Sequence, residues 1–124
     1  LEAGYELSVT GEVTEYYDLT EIVVTDSADV VVTGSGSLNV FSLSSPPADW
    51  EPFEGVLVAL QDVQVEGDID EYGQSATDWD IAIDDMLYSH NSEAGTVYEE
   101  ITGVMTYAYE EWKIEPRDSA DLEQ

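Results

Sequence analysis

The sequence predicts an all-β fold: a small OB-fold-like barrel of five to six curved strands with one short helix midway. Valine, threonine and tyrosine are frequent, and these residues favour strands. Apolar and polar residues alternate with a period of two over several stretches, which is typical of half-buried strands. No linker or composition shift divides the 124 residues, so the chain is predicted to form one domain, 1–124.

The two ends of the chain carry similar segments. Thr10–Tyr17 (TGEVTEYY) and Thr102–Tyr109 (TGVMTYAY) both follow the pattern T-G-x-apolar-T-x-x-Y. Each segment predicts a strand that runs into a tight turn. Two similar strands near the ends of one small domain favour a barrel whose first and last strands meet.

The alternation predicts the other elements in chain order. The first strand covers Tyr5–Tyr17, and Gly11 in its middle indicates a bend or bulge. Further strands are predicted at Leu19–Thr25, Val30–Thr33, Val56–Val65, Asp78–Asp84, Val97–Tyr109 and Trp112–Glu115. Pro47–Glu54 predicts one or two helical turns that bring Trp50 and Phe53 to the core.

Two finer features follow from the same pattern. The apolar parity of the Val56–Val65 strand switches near Gln61 and Asp62, which predicts a bulge that curves the strand. After Pro116, Arg117 and Asp121 are spaced to form an ion pair across one helical turn.

The charge balance limits the function. There are 29 acidic residues against two basic ones, Lys113 and Arg117, and the net charge is -27. Three interpretations remain open: an acidic surface adapted to high salt, cation sites with calcium as the first choice, or a basic partner. All three make an unaided contact with nucleic acid harder, because phosphate binding normally rests on lysine and arginine.

Three further features of the sequence limit its chemistry and its location. No cysteine is present, which excludes disulfides and thiolate chemistry. No apolar run is long enough to predict a membrane-spanning helix, and no membrane insertion is expected. The first residue is Leu1 rather than methionine, so we expect an excised domain or mature fragment of a larger secreted or cell-surface protein.

One acidic loop is a candidate cation site. Residues 68–73, DIDEYG, match the opening of a calcium loop, but Trp79 stands where an EF-hand needs a bidentate glutamate. A looser oxygen site remains open, with a solvated acidic loop as the alternative. Its ligands would come from four aspartates: Asp68, Asp70, Asp78 and Asp80.

Catalysis is not predicted. With so many acidic residues, no specific acid–base pair can be singled out from the sequence. His90, the sole histidine, could join a catalytic triad only with a serine outside any nucleophile-elbow motif, and it is expected in a surface loop. The protein is therefore expected not to be an enzyme.

Aromatic side chains near the two similar turns are the candidate ligand contacts. They form either a stacking platform for bases or sugar rings, or a cover for the core. Strand parity predicts that Tyr17, Tyr107 and Tyr109 point inward and that Tyr16 points outward. Lys113 is placed to meet one phosphate or carboxylate. The candidate ligand-binding residues are Tyr16, Tyr109, Trp112 and Lys113.

Three stretches also carry a resemblance to a known family: Val9–Tyr17 with Leu19–Ile22, then Phe53–Val58, then Ile101–Tyr107 with Pro116–Leu122. In this order they resemble the OB-fold-like domains of secreted bacterial proteins, as found beside extracellular endonuclease/exonuclease/phosphatase-family nuclease domains. Asp18 stands where that family is expected to have a turn glycine, and aspartate tolerates the left-handed backbone of such a turn.

The resemblance implies an accessory module that presents a ligand, with single-stranded nucleic acid as the inherited ligand. At this net charge, divalent cations would have to bridge acid and phosphate. The alternative is a calcium-stabilised module that binds protein or glycan. In either case we expect a monomer whose other partners are adjacent domains of the parent protein.

Overall fold

The computed structural model describes every residue from Leu1 to Gln124. It contains eleven β-strands and three 3₁₀ helices and no α-helix, so the all-β prediction is confirmed. None of the helices has the length and apolar composition that a membrane-spanning helix requires. Backbone contacts divide the chain into two compact units, Leu1–Asn39 (unit 1) and Val40–Gln124 (unit 2).

Unit 1 consists of two small antiparallel sheets. Its elements are β1 (Tyr5–Val9), β2 (Glu12–Tyr16), β3 (Leu19–Val23), a 3₁₀ helix (Ser27–Asp29) and β4 (Val30–Ser35). β1 pairs with β4, and β2 pairs with β3. The predicted break at Gly11 is confirmed, since β1 ends and β2 begins on either side of it. A Cβ at Gly11 would lie 2.6 Å from the carbonyl oxygen of Val23, so only glycine fits this close approach.

Unit 2 is one seven-stranded sheet in the order β5-β6-β9-β10-β8-β7, with β11 added to β9. Its strands are β5 (Phe41–Leu43), β6 (Leu57–Gln64), β7 (Ser75–Ala76), β8 (Ala82–Ile83), β9 (Val97–Ala108), β10 (Glu111–Glu115) and β11 (Leu122–Glu123). Its 3₁₀ helices are Glu51–Phe53 and Ser119–Asp121. β5 runs parallel to β6 and β8 parallel to β10, and the other pairs are antiparallel.

The hydrophobic core lies in unit 2. Its buried members are Trp50, Val58, Leu60, Val63, Val65, Trp79, Ile81, Ile83, Tyr98, Ile101, Met105 and Ile114. The 3₁₀ helix after Trp50 brings that indole against Trp79, with ring centroids 6.3 Å apart, and Phe53 packs at its edge. The prediction that Trp50 faces the core from a short helical connection is therefore confirmed.

The parity switch in β6 occurs at the predicted position but has a different cause. Gln61 pairs with Glu100 and Val63 pairs with Tyr98, so no extra residue is inserted. Instead Asp62 takes a left-handed conformation with φ 55. This conformation turns the following side chain back to the core, because alternation is lost at a residue that leaves the β region.

The first and last strands do not pair with each other. β1 pairs only with β4. Both edges of β9 are already occupied, by β6 on one side and by β10 and β11 on the other. The two similar segments therefore belong to separate sheets.

Candidate ligand-binding site

The β9–β10 turn borders an open groove in unit 2. The groove has a volume of about 540 Å³ and is lined by Tyr72, Gln74, Tyr109, Glu111 and Lys113. Two tyrosines, a glutamine, a glutamate and a lysine thus border the same space. A mixed lining of this kind suits a ligand with flat apolar faces and several hydroxyl or amide groups at its edge.

Tyr109 owes its position to the conformation of the turn. Tyr109 and Glu110 have φ values of 55 and 64, the left-handed pair of a type I′ hairpin turn. A residue at such a turn no longer follows the alternation of the strand. The ring therefore projects from the sheet, and Tyr109 is 93% exposed.

Tyr72 is held by a turn that an aspartate side chain organises. The Asp70 carboxylate accepts hydrogen bonds from the backbone N–H groups of Tyr72 (2.9 Å) and Gln74 (3.0 Å). This Asx-type turn fixes the loop and leaves the Tyr72 ring 72% exposed. The groove is thus bordered by two solvent-facing rings on short, hydrogen-bonded turns.

Lys113 lies at the base of this groove. The residue is only 2% exposed, and its ammonium nitrogen is 3.7 Å from a carboxylate oxygen of Asp84. The same nitrogen lies 5.6 Å from the centroid of the Tyr109 ring, within the range of a cation–π contact. Lys113 therefore lies between the exposed ring of Tyr109 and the partly buried carboxylate of Asp84.

Glu115 is the second acid in this buried region. It is 1% exposed, and its carboxyl oxygens have no hydrogen bond of standard geometry. Burial, followed by the negative charge of Asp84, raises the pKa of Glu115 to about 8, against a smaller opposing effect of Lys113. Glu115 is therefore protonated at neutral pH, while Asp84 and Lys113 form the ion pair.

The structure brings together two of the four predicted ligand residues. Tyr109 and Lys113 line the same groove. Trp112 instead packs half-buried against Tyr107, with centroids 4.9 Å apart. Tyr16 belongs to unit 1, where it is 60% exposed and contacts the ring of Tyr17.

The prediction that Tyr17 and Tyr109 point inward is wrong. Both residues occupy the first position of a left-handed turn, where φ is 48 for Tyr17 and 55 for Tyr109. Strand parity does not extend into such a turn. The rings are among the most exposed large side chains of the protein.

The four aspartates predicted to bind a cation are not brought together. No group of three or more histidine, aspartate or glutamate side chains is placed to hold a metal ion. Asp68 accepts a hydrogen bond from the backbone N–H of Ala94, and Asp78 accepts one from that of Gln64. Asp70 organises the Tyr72 turn, and Asp80 takes a left-handed backbone conformation. Three of the four side chains, those of Asp68, Asp70 and Asp78, therefore accept hydrogen bonds from the backbone.

His90 is buried, at 4% exposure, so its predicted surface position is wrong. Its Nδ1 lies 2.9 Å from the hydroxyl oxygen of Ser92, which in turn lies 2.8 Å from that of Tyr98. Tyr98 belongs to the core cluster. The loop that contains His90 is therefore anchored to the sheet by a chain of side-chain hydrogen bonds.

Sequence reasoning missed three of the lining residues, Tyr72, Gln74 and Glu111. Tyr72 and Gln74 lie in the segment interpreted as a cation loop, since D-x-Y is compatible with both an oxygen site and an Asx turn. Glu111 directly follows the turn and has no distinguishing pattern. No protein-family model, curated protein or solved structure matches this chain.

Proposed function

We propose that the protein is a non-catalytic, OB-fold-like binding module of a secreted or cell-surface protein, and that it binds a glycan in the Tyr72–Tyr109 groove. The observation that carries this proposal is the pair of exposed rings beside Gln74, Glu111 and Lys113. Sugar rings present apolar faces that stack on aromatic side chains and hydroxyl groups that pair with amides and carboxylates.

Electrostatics favours a neutral sugar over a polyanion. Lys113 is the one cation of the groove, and it is already paired with Asp84. The protein as a whole has a net charge of -27. A phosphate chain would be repelled by this acidic surface and would lose part of the hydration of its charges on binding. A neutral saccharide carries no charge and has neither cost.

Single-stranded nucleic acid, the ligand implied by the family resemblance, is the second candidate. Bases would stack on the same two rings, and each such contact is worth about 1–3 kcal/mol. Because the groove offers only one ammonium group, we expect nucleic acid to bind only when divalent cations bridge phosphate and carboxylate.

A binding assay with matched variants tests both candidates. The full chain is applied to a polysaccharide microarray, and to oligothymidylate in EDTA or in calcium at equal ionic strength. We expect saccharide binding that falls at least about tenfold in Tyr109→Ala and in Tyr72→Ala. Tyr17→Ala is the matched control, since Tyr17 occupies the corresponding turn position of unit 1 and does not line the groove.

The outcomes separate the candidates. Calcium-dependent binding of oligothymidylate without saccharide binding would replace the glycan by nucleic acid at the same groove, provided that Tyr109→Ala weakens it. Binding of either ligand that survives both groove substitutions would show that the groove is not the site.

A further inference from the structure

Unit 1 and the last part of unit 2 are two copies of one structural module. Each residue from 10 to 29 has a counterpart 92 positions later, as Thr10 has in Thr102, and nine of these twenty pairs are identical. The identical residues in unit 1 are Thr10, Gly11, Thr14, Tyr17, Ile22, Asp26, Ser27, Ala28 and Asp29. The T-G-x-apolar-T-x-x-Y pattern is thus only the first part of a longer repeat.

The strand pairing of the two copies is the same residue by residue. Val13 pairs with Ile22 in unit 1, and their counterparts Met105 and Ile114 pair in unit 2. Likewise Val30 pairs with Val9, and Leu122 pairs with Ile101. β1 and β2 therefore correspond to β9, β3 corresponds to β10, and β4 corresponds to β11.

The special positions of the module also coincide. Asp26 and Asp118 each cap a 3₁₀ helix by accepting a hydrogen bond from the alanine N–H two residues later, at 2.9 and 2.8 Å. Gly11 and Gly103 each lie where a Cβ would collide with the end of the returning strand, at 2.6 and 2.7 Å from a carbonyl oxygen. The two copies thus share their turns and helix caps as well as their strands.

The copies differ in what covers their apolar face. In unit 2 the face is fully buried: Ile101, Met105 and Ile114 are 0% exposed. Their counterparts in unit 1, namely Val9, Val13 and Ile22, are apolar too but are 42%, 66% and 54% exposed. No residue of unit 1 is buried at all. A face with core-type side chains and no core indicates a missing layer.

Unit 2 shows which layer covers this face. β6 pairs along β9, where Leu60 lies opposite Ile101, and β8 pairs with β10, where Ile83 lies opposite Ile114. Both covering strands belong to Val40–Ser92, which precedes the module in the chain. In unit 1 the corresponding edge of β1 is unpaired, since β4 is its only partner.

We infer that the open face of unit 1 is the docking surface for a second segment of the Val40–Ser92 kind, which joins unit 1 to form a domain built like unit 2. The segment adds a β6-type strand along Tyr5–Glu12 and a β8-type strand beside β3. The polypeptide is then a tandem array of two such domains, in which the exposed apolar face of unit 1 becomes core.

Duplication of the covering segment tests this inference. A copy of Val40–Ser92 is placed directly before Leu1 of the full chain, because Leu1 corresponds to Glu93 and the junction keeps the natural spacing. Amide hydrogen exchange is then measured on β1 to β4. We expect exchange in these strands to slow by roughly a hundredfold, towards the rates of β9 and β10 in the same molecule.

The control is Leu60→Asp introduced into the added copy alone. It places a charge opposite Val9 and leaves unit 2 intact as an internal standard. We expect it to return β1 to β4 to the fast exchange of the 124-residue chain. Exchange in β1 to β4 that does not slow beside a protected unit 2, or that slows equally in the Leu60→Asp control, would overturn the inference.

Discussion

The ammonium nitrogen of Lys113 lies 3.7 Å from a carboxylate oxygen of Asp84, and the two side chains are 3% and 14% exposed. Lys113 lies near a second acid, the buried Glu115, which is two residues further along the same strand. The ion pair between Lys113 and Asp84 balances the charge of Asp84, and Glu115 remains protonated. Lys113, Asp84 and Glu115 together carry no net charge only while Glu115 stays protonated.

The stability of the protein should therefore fall as the pH rises above neutrality. The pKa of Glu115 is raised from 4.5 to about 8 by burial and by Asp84. The folded state keeps a proton that the unfolded state releases between these values, so this contribution is complete below pH 4.5 and is lost as the pH approaches about 8. Glu115→Gln should stabilise the protein by about 2 kcal/mol at about pH 9 and have little effect at about pH 5.

Urea unfolding followed by tryptophan fluorescence measures this effect, since all three tryptophans lie in unit 2. Glu111→Gln is the control, because it removes the same charge from an exposed position of the same strand. An equal gain at both pH values would mean that Glu115 is already ionised in the folded protein at about pH 5. An equal gain in the control would mean that the gain comes from removing any negative charge rather than from the burial of Glu115.

Arg117 and Asp121 should contribute stability that is lost in acid. Two hydrogen bonds of 2.7 Å join the guanidinium to the carboxylate, and the backbone N–H of Arg117 adds a third. Burial alone would raise the pKa of Asp121, but these hydrogen bonds outweigh it and hold the pKa below its usual value. This stabilisation is present above the usual carboxyl pKa and disappears as the pH falls below it.

Asp121→Asn should therefore lower the unfolding free energy by about 1–2 kcal/mol at neutral pH. This value is smaller than for a fully buried pair, because Arg117 is partly exposed to solvent. Glu123→Gln, which removes an equal charge from an exposed residue nearby, should change the unfolding free energy by less than about 0.5 kcal/mol. A double-mutant cycle that combines Asp121→Asn with Arg117→Met measures the interaction energy of the two side chains. Additive effects in that cycle would show that the two side chains do not interact.

The sequence was sufficient to predict strands, turns and the ion pair because these depend on local patterns. Alternation located β6 and β9, and the spacing of Arg117 and Asp121 predicted their contact. These local patterns could not show what covers each copy of the repeat, because two copies in separate sheets and two partner strands in one barrel give the same internal similarity. That distinction depends on what pairs with each edge, which is a long-range property.

The candidate groove was only half predictable for a related reason. Lys113 and Tyr109 could be singled out by residue type. Tyr72 lies beside them because the Asp70 carboxylate binds backbone N–H groups of its loop rather than a cation. The same point applies to the predicted aspartate site, where the structure places no group of three such side chains to hold a metal ion. An acidic loop that satisfies its own backbone and one that gathers oxygen ligands look alike in sequence.

Glycine in the β9–β10 turn should stabilise unit 2. Glu110 adopts φ 64, a conformation that costs about 1 kcal/mol for most residues and little for glycine. Glu110→Gly should therefore raise the unfolding free energy by about 0.5–1 kcal/mol in urea, and Tyr109 should keep its place in the groove. Glu111→Gly, one residue later in β10, is the control and should destabilise by a similar amount. A loss of stability in Glu110→Gly would show that the turn is not left-handed.

The two copies of the repeated module should respond differently to the same substitution. Ile114 is fully buried and Ile22 is 54% exposed, although they occupy equivalent positions of equivalent hairpins. Ile114→Ala should cost about 2–5 kcal/mol, because it removes core contacts and leaves a cavity. Ile22→Ala should change stability by less than about 0.5 kcal/mol in the 124-residue chain.

Amide exchange is the appropriate measurement, since it reports on both units whereas tryptophan fluorescence reports only on unit 2. Equal acceleration of exchange around both sites would mean that the face of unit 1 is already covered in solution, for instance by a second copy of the chain, and the mass of the particle in solution would then identify that dimer.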